Sequence, residues 1–301
     1  MKAKAPKKRI LFIVNPIAGV RSKVGIPDLI EQEIDKQQYD CHIAYTQFAG
    51  HAVFLTREAV EKQLYDVVVA VGGDGSVNEV ASQLVDTPVA LGIVPLGSGN
   101  GLARKLGIPM QQRAAIQTLN HCHTTPVDVG VINNRYFFSN AGIGYSAQVA
   151  ARFAGRKNRG MSGYAFTIAT GLSRYHPVSC QIACNNSNFE VHAFDITFNN
   201  SGQFGYGMGL TPNSNLSDGQ MELSIVRHFP LYQIFWVVLL FLINRLYKSR
   251  YLKEIEMQQA SLCCSTPLQA QIDGDPVFID DRFEVQIKQL ALKVVVPDKD
   301  R

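Results

Sequence analysis

Two short glycine-rich loops carry the residue types best suited to chemistry in this chain. The first, Gly72-Gly73-Asp74-Gly75-Ser76, is delivered by the apolar run Val67 to Val71 and precedes a helical pattern opening near Asn78. Glycines at three positions let backbone amides approach a phosphate closely, and a helix N-terminus just beyond favours negative charge. Asp74 stands where a carboxylate could hold Mg²⁺ or orient a transferring phosphate, and Ser76 could cap the helix or bond a phosphate. A tight strand-to-helix turn with Asp74 as a capping group would use the same residues.

The second loop, Pro95-Leu96-Gly97-Ser98-Gly99-Asn100-Gly101, follows Val89 to Val94 and precedes Arg104 and Lys105. Two such loops at neighbouring strand ends favour a phosphate cradle more than either does alone. Neither is a Walker A loop, because the chain has no Gly-Lys dipeptide. Gly142-Ile143-Gly144-Tyr145-Ser146-Ala147 matches the dinucleotide fingerprint only superficially, since no strand-helix-strand unit surrounds it. Asp273-Gly274-Asp275-Pro276 reads first as a hairpin turn. His121 and His123 have no acidic or cysteine partner close by, and no serine lies in a nucleophile elbow.

The loops need strands and helices to hold them, and residues 9 to 128 supply both in alternation. Strands are expected at Ile10 to Val14, Cys41 to Tyr45, Val67 to Val71 and Val89 to Val94. Helices are expected at Pro27 to Lys36, His51 to Lys62, Val77 to Val85, Leu102 to Leu106 and Gln111 to Asn120. Uninterrupted Val/Ile strands spaced by helices imply a parallel sheet covered on both faces. Ligands of such sheets sit beyond the carboxyl ends of the strands, where both glycine loops fall.

From Val129 the texture changes to short alternating segments, among them Arg135 to Phe138, Ser179 to Ala183, Phe189 to Phe198, Met221 to Val226 and Leu268 to Ile272. Gly, Asn and Ser turns separate most of them, which argues for an antiparallel sheet domain over residues 129–292. Two helical stretches are embedded in it, Ala147 to Ala154 and Leu231 to Tyr247. An exposed sheet edge there could support a homodimer.

Over 301 residues, 46% are hydrophobic and 18% charged, the balance of a globular chain rather than a disordered one. The net charge of +4 is too slight to indicate a nucleic-acid partner. The cysteines, Cys41, Cys122, Cys180, Cys184, Cys263 and Cys264, form no C-x-x-C pair and imply neither a zinc site nor a disulfide framework. A reducing, cytoplasmic setting is expected, since the basic N-terminus runs into a strand with no signal-peptide pattern. The longest apolar run, Ile234 to Ile243, is too short to span a bilayer. It precedes the cations Arg245, Lys248, Arg250 and Lys253, which suits docking on an anionic membrane surface as well as it suits a core helix with a solvated flank. Residues 129–217 add Arg135, Arg152, Arg156, Lys157, Arg159 and Arg174 against only Glu190 and Asp195.

Asn15-Pro16-x-x-Gly19, the GGDGS loop and Pro95-Leu96-Gly97-Ser98-Gly99-Asn100, in that order, resemble the diacylglycerol kinase catalytic-domain family. That family includes bacterial lipid kinases and the sphingosine kinases. Asp218-Gly219 after Pro212 and the late Asp273-Gly274-Asp275 extend the resemblance over nearly the whole chain. The resemblance implies a Rossmann-like α/β domain of the NAD kinase and diacylglycerol kinase type that binds ATP, plus a β-sandwich that binds lipid. It implies that residues 293–301 return to the first domain. It implies an ATP- and Mg²⁺-dependent kinase acting on the hydroxyl of a diacylglycerol or sphingoid base at a membrane surface. Asn15, Pro16, Gly72, Gly73, Gly75, Ser76, Gly97, Ser98 and Asn100 would then hold the nucleotide, and Asp74 its Mg²⁺. Asp273 would be the general base, its carboxylate left exposed by the turn at Gly274, with Asp275 a nearby metal-binding acid and Asp218 part of a structural Mg²⁺ site.

Three kinds of departure from the family pattern affect four positions. Ser76 and Ser98 replace a common Thr, Asp275 replaces a usual Glu, and Gly101 stands where bacterial diacylglycerol-type members usually carry Asp. The Ser98-Gly99-Asn100-Gly101 form is closer to the sphingosine kinases. An NAD kinase, which shares the GGDG loop, and a catalytically silent lipid- or nucleotide-binding protein are the alternatives.

Overall fold

The computed structural model describes residues 6–17, 25–155, 161–172, 175, 177–203, 209–211 and 213–298. Gly19, Arg156, Lys157, Arg159, Arg174 and Pro212 lie outside the described residues. The chain divides into two compact units, Met1–Val127 with Leu290–Arg301, and Asp128–Gln289.

The first unit alternates β1 (Lys8–Val14), α1 (Ile26–Glu33), β2 (Tyr39–Tyr45), α2 (His51–Glu61), β3 (Val67–Gly72), α3 (Asp74–Leu84), β4 (Ala90–Pro95), α4 (Gly101–Lys105) and α5 (Gln112–Leu119). Strands β2, β1, β3 and β4 lie side by side and all parallel. Val294, near the end of the last strand, adds to the β4 edge opposite Leu91, also parallel. Every residue of β3 and β4 is buried, because helices cover both faces. Helix α3 opens at Asp74, three residues before the expected start at Val77, because Gly73 leaves the strand extended and the helix begins at once.

The second unit begins within β5 (Thr124–Ile132), which crosses the boundary. It continues with β6 (Arg135–Phe137), β7 (Asn140–Gly144), α6 (Tyr145–Ala154), α7 (Met161–Gly171), β8 (Val178–Cys184), β9 (Ser187–Asn199) and β10 (Met221–Arg227). Then come α8 (Ile234–Leu242), β11 (Leu252–Met257), β12 (Gln259–Cys264), β13 (Leu268–Ile272), β14 (Asp275–Ile279) and β15 (Arg282–Val295), whose end lies in the first unit. The strands pair antiparallel in the order β14, β13, β7, β9, β8, β12, β15. Long β9 pairs β8 along its first half, and its second half sits between β7 and β10. A core of Phe137, Ile143, Ile182, Ile196, Phe198, Leu223 and neighbours fills the interior.

Three expectations are corrected here. The second unit holds a third helix, α7, whose sequence MSGYAFTIATG lacks a polar face to mark it. The stretch Leu231 to Tyr247 is not one helix but a 3-10 turn, α8 and a second 3-10 turn, interrupted where Asn244 takes the left-handed conformation (φ 54°). The side chain of Asn244 accepts from the Gly209 amide at 2.8 Å. Finally, Cys180 and Cys264 form a disulfide. They are 84 residues apart in sequence, but β8 and β12 set them directly opposite each other. Cys41, Cys122, Cys184 and Cys263 remain free thiols.

Candidate functional site

Three loops meet at the carboxyl ends of β1, β3 and β4. The Asn15 amide donates to the Val71 carbonyl (3.1 Å), and the Asn15 side chain donates to the Ser76 hydroxyl (3.0 Å), tying the end of β1 to the first turn of α3. Asn15 also accepts from the Ile17 amide, which turns the chain at Pro16. The amides of Leu96 and Gly97 both donate to the Gly72 carbonyl, so the second glycine loop starts against the first.

Asp74 joins the two loops. Its carboxylate accepts from the amides of Asn100 and Gly101, both at 2.8 Å. Those amides open α4, so Asp74 caps that helix rather than its own, as neither turn chemistry nor helix spacing foretold. Burial pushes the Asp74 carboxyl up, against the opposing pull of the Gly101 and Asn100 amides and of Arg104. Arg104 in turn donates to the Gly99 carbonyl at 2.8 Å.

The cradle is backbone against backbone. A Cβ added at Gly97 would stand 2.6 Å from the Gly73 Cα, which no side chain permits. Asn100 is buried (4% exposed) in the left-handed conformation, φ 53° and ψ 52°, with its amide nitrogen donating to the Gly97 carbonyl at 2.6 Å. Its Oδ1 is buried with no hydrogen-bond partner among the described residues. An orphaned acceptor beside a loop with no room for side chains is what a bound polar group would complete. Gly75 and Ser98 lie in the same two loops, partly exposed.

The second carboxylate belongs to Asp273. Asp273 (φ 49°) and Gly274 (φ 87°) form a two-residue turn between β13 and β14, with Ile272 paired to Asp275. The carboxylate is not exposed as the turn residues implied. Asp273 is 8% exposed, and its Oδ1 accepts from the amides of Ser139 (2.7 Å), Asn140 (3.1 Å) and Phe138 (3.2 Å), the last shared with Oδ2. Gln271 and Asn140 brace the turn: Gln271 donates to Asn140 Oδ1 at 2.6 Å and accepts from the Gly274 amide at 2.8 Å. None of Phe138, Ser139, Asn140 and Gln271 was marked by sequence, because backbone amides carry no residue signature.

The two other acids stand apart from any metal cluster. Asp218 is exposed and its carboxylate accepts from the Gln220 amide at 3.0 Å, a local turn. The adjoining Gly219 amide goes instead to fully buried Asp128 (2.7 Å), an acid on β5. Asp275 is exposed at the start of β14. No group of three or more His, Cys, Asp or Glu that could hold a metal occurs among the described residues. Mg²⁺ in phosphoryl transfer is commonly held by one or two carboxylates together with the phosphates themselves, a requirement that Asp74 and the cradle fit.

The second unit also holds a partly open cavity of about 80 Å³, walled by Val149, Ile168, Phe194, Leu210, Phe229 and Phe241 among others. Its polar rim is Asp195, whose carboxylate accepts from the Ser146 amide (2.7 Å) and the Thr197 hydroxyl (2.6 Å). Burial raises the Asp195 pKa to about 6.

Comparison with known proteins agrees with this architecture. Residues 9–132 match the family model for the diacylglycerol kinase catalytic domain, and residues 139–286 match the YegS C-terminal NAD kinase beta sandwich-like domain. The chain belongs to the diacylglycerol kinase catalytic-domain family. It is therefore an enzyme, of a family of lipid kinases. A diacylglycerol kinase of Staphylococcus epidermidis is 29% identical over 276 residues, 89% of this chain and 86% of that protein. A "Probable lipid kinase YegS-like" of Chromohalobacter salexigens is 29% identical over 85% of this chain and 84% of its own. Crystal structures from Bacillus anthracis share the fold. One superposes with TM-score 0.78 at 22% identity, covering 96% of this chain and 97% of its own. Another, of a diacylglycerol kinase, gives 0.71 at 19% over the same shares. These relatives do not favour the NAD kinase alternative.

Proposed function

We propose that this protein transfers the γ-phosphate of ATP to a lipid hydroxyl, with diacylglycerol as the first candidate acceptor and a sphingoid base as the second. The observation that carries the reading is the cradle in the first unit. Three loops are locked together by Asn15, Ser76, Asp74 and Asn100 around a backbone surface with no side chains. Phosphoryl transfer asks for positioning and charge neutralisation more than for covalent chemistry, and a rigid array of amides beside the N-terminus of α3 supplies both.

In this reading Gly72, Gly73 and Gly75 present amides to the phosphates, Gly97 lets the second loop close against the first, and Asn15, Pro16, Ser76, Ser98 and Asn100 shape and line the cradle. Asp74 fixes the second loop and would help hold the Mg²⁺ that accompanies the nucleotide. Bound Mg²⁺ would neutralise charge on the transferring phosphoryl group. Asp273 takes the proton of the lipid hydroxyl as its oxygen attacks the γ-phosphorus and the bond to the β–γ bridging oxygen breaks, releasing ADP; the Phe138, Ser139 and Asn140 amides hold that carboxylate in one orientation. Asp218 and Asp275 are kept as candidate metal acids. The apolar cavity supports a lipid acceptor, because its walls suit methylenes and not water. The protein works as a peripheral enzyme at a membrane surface; no helix among the described residues is long and apolar enough to cross one.

The test is transfer of labelled phosphate from ATP into a panel of diacylglycerols, sphingoid bases and total lipid extract in mixed micelles, with and without Mg²⁺. A labelled lipid that needs Mg²⁺ supports the reading and names the acceptor. Silence across the panel with ATP still bound points to a binding protein that keeps the fold.

A further inference from the structure

Helix α8 reads IFWVVLLFL, without a polar residue on any side. A helix that is apolar all round belongs in a core or a bilayer, yet α8 is only half covered. Val237 (5% exposed) faces inward, and with Val238 and Phe241 it walls the cavity. The opposite face is bare: Phe235 is 70% exposed, Trp236 62%, and Tyr232, one turn before, 79%. Phe235 and Trp236 lie edge to face with ring centroids 6.1 Å apart, a contiguous aromatic ridge. Exposed aromatic patches of this size mark interaction surfaces.

The charge beside the ridge identifies the partner. From His228 to Lys253 the chain carries Arg245, Lys248, Arg250 and Lys253 and no acidic residue. All four cations are exposed, and the first acids beyond them are Glu254 and Glu256 on β11. Tyr and Trp rings with a basic flank are the composition of a segment lying in the interface of an anionic membrane.

We propose that α8 is the membrane-docking element of this protein: Tyr232, Phe235 and Trp236 enter the headgroup region of an anionic bilayer, and Arg245, Lys248, Arg250 and Lys253 meet the lipid charge. Because the inner face of the same helix walls the cavity, docking sets a wall of that cavity against the acyl chains. A lipid can then pass from bilayer to cavity across α8 without crossing water. This deepens the lipid-kinase reading and rests on it for the use of the cavity, while the docking itself stands on α8 alone.

Trp236 is the sole tryptophan of the chain, so its fluorescence reports on α8 and nothing else. The experiment adds phosphatidylglycerol or phosphatidylcholine vesicles to the full-length protein. Emission is expected to shift to the blue and to be quenched by bromine-labelled acyl chains with phosphatidylglycerol, far less with phosphatidylcholine, and the shift is expected to shrink as salt screens the cations. A double variant Tyr232→Ser/Phe235→Ser, which keeps the reporter, should weaken vesicle binding at least about tenfold. It should lose transfer to lipid in vesicles while keeping transfer to the same lipid in detergent micelles. An emission spectrum unchanged by phosphatidylglycerol vesicles overturns the proposal. So does a blue shift that grows with protein concentration in the absence of vesicles, since a second copy would then cover the ridge. Vesicle binding without transfer in either assay sinks the kinase reading and leaves docking intact; transfer in micelles with no vesicle binding does the reverse.

Discussion

Two Asp-Gly pairs, one in each unit, meet the same chemical demand in opposite backbone settings. Asp74-Gly75 follows a buried parallel strand and begins a helix; Asp273-Gly274 closes an antiparallel hairpin with both residues at positive φ. Yet each carboxylate is turned to backbone amides of a segment distant in sequence, Asn100 and Gly101 for one, Phe138 to Asn140 for the other. An acid in a motif is first a clamp on its own fold, and a chemical role is exercised from within that clamp. Charge-assisted bonds of this kind contribute about 1.5–3 kcal/mol each, so both acids matter to structure apart from the roles proposed for them in the reaction.

The comparison breaks most sharply at Asp273. Replacing it with Asn keeps an acceptor for some of the amides but removes the charge and the proton acceptor. Transfer is expected to fall about 10²–10⁴-fold with ATP affinity unchanged, measured by initial rates and nucleotide titration. The same change at Asp74 should act on the other side of the comparison. Asp74→Asn faces the Asn100 or Gly101 amide with a donor, so nucleotide affinity should drop about tenfold or more, with a stability loss of about 1–3 kcal/mol in denaturant unfolding. Equal effects of both variants on ATP binding would erase the distinction between the units.

The glycines beside these acids fail for different reasons. Gly97→Ala collides with the Gly73 backbone at 2.6 Å and should cost about 1–3 kcal/mol, together with nucleotide affinity. Gly274→Ala meets nothing within 4 Å, and its φ of 87° alone should cost about 1–2 kcal/mol, leaving nucleotide affinity intact.

The smallest effect concerns a third buried acid. Asp195 has two donors, Ser146 and Thr197, but lies against the apolar cavity, and burial raises its pKa from 3.8 to about 6. A folded pKa above the unfolded one means stability that is complete below pH 3.8 and lost as pH rises towards about 6. Asp195→Asn should flatten that decline. Thermal midpoints of both proteins between pH 4 and pH 7 check it; parallel curves would contradict the assignment.

How much of this was legible in sequence differs between the units for a physical reason. Strands β1, β3 and β4 are buried on both faces, so each is a continuous apolar run that announces itself. The edge strands β11 (LKEIEM) and β14 (DPVFI) carry exposed or charged residues and gave no such signal. The glycine loops were legible because close backbone approach leaves room only for glycine. Their fastening was not, because Asp74 and Asp273 bind backbone amides, which every residue but proline can donate. The disulfide escaped for a related reason: pairing Cys180 with Cys264 requires the register of β8 against β12, which spacing along the chain does not encode.

The central claim is that a buried, amide-held carboxylate at Asp273 serves lipid phosphorylation, and one comparison tests it directly. Wild type and Asp273→Asn, each verified as folded by circular dichroism and each binding ATP, are assayed for transfer of labelled phosphate to diacylglycerol in micelles. The account predicts labelled lipid from the wild type and at least about a hundredfold less from the variant. A folded, ATP-binding variant that labels lipid as fast as wild type would contradict it.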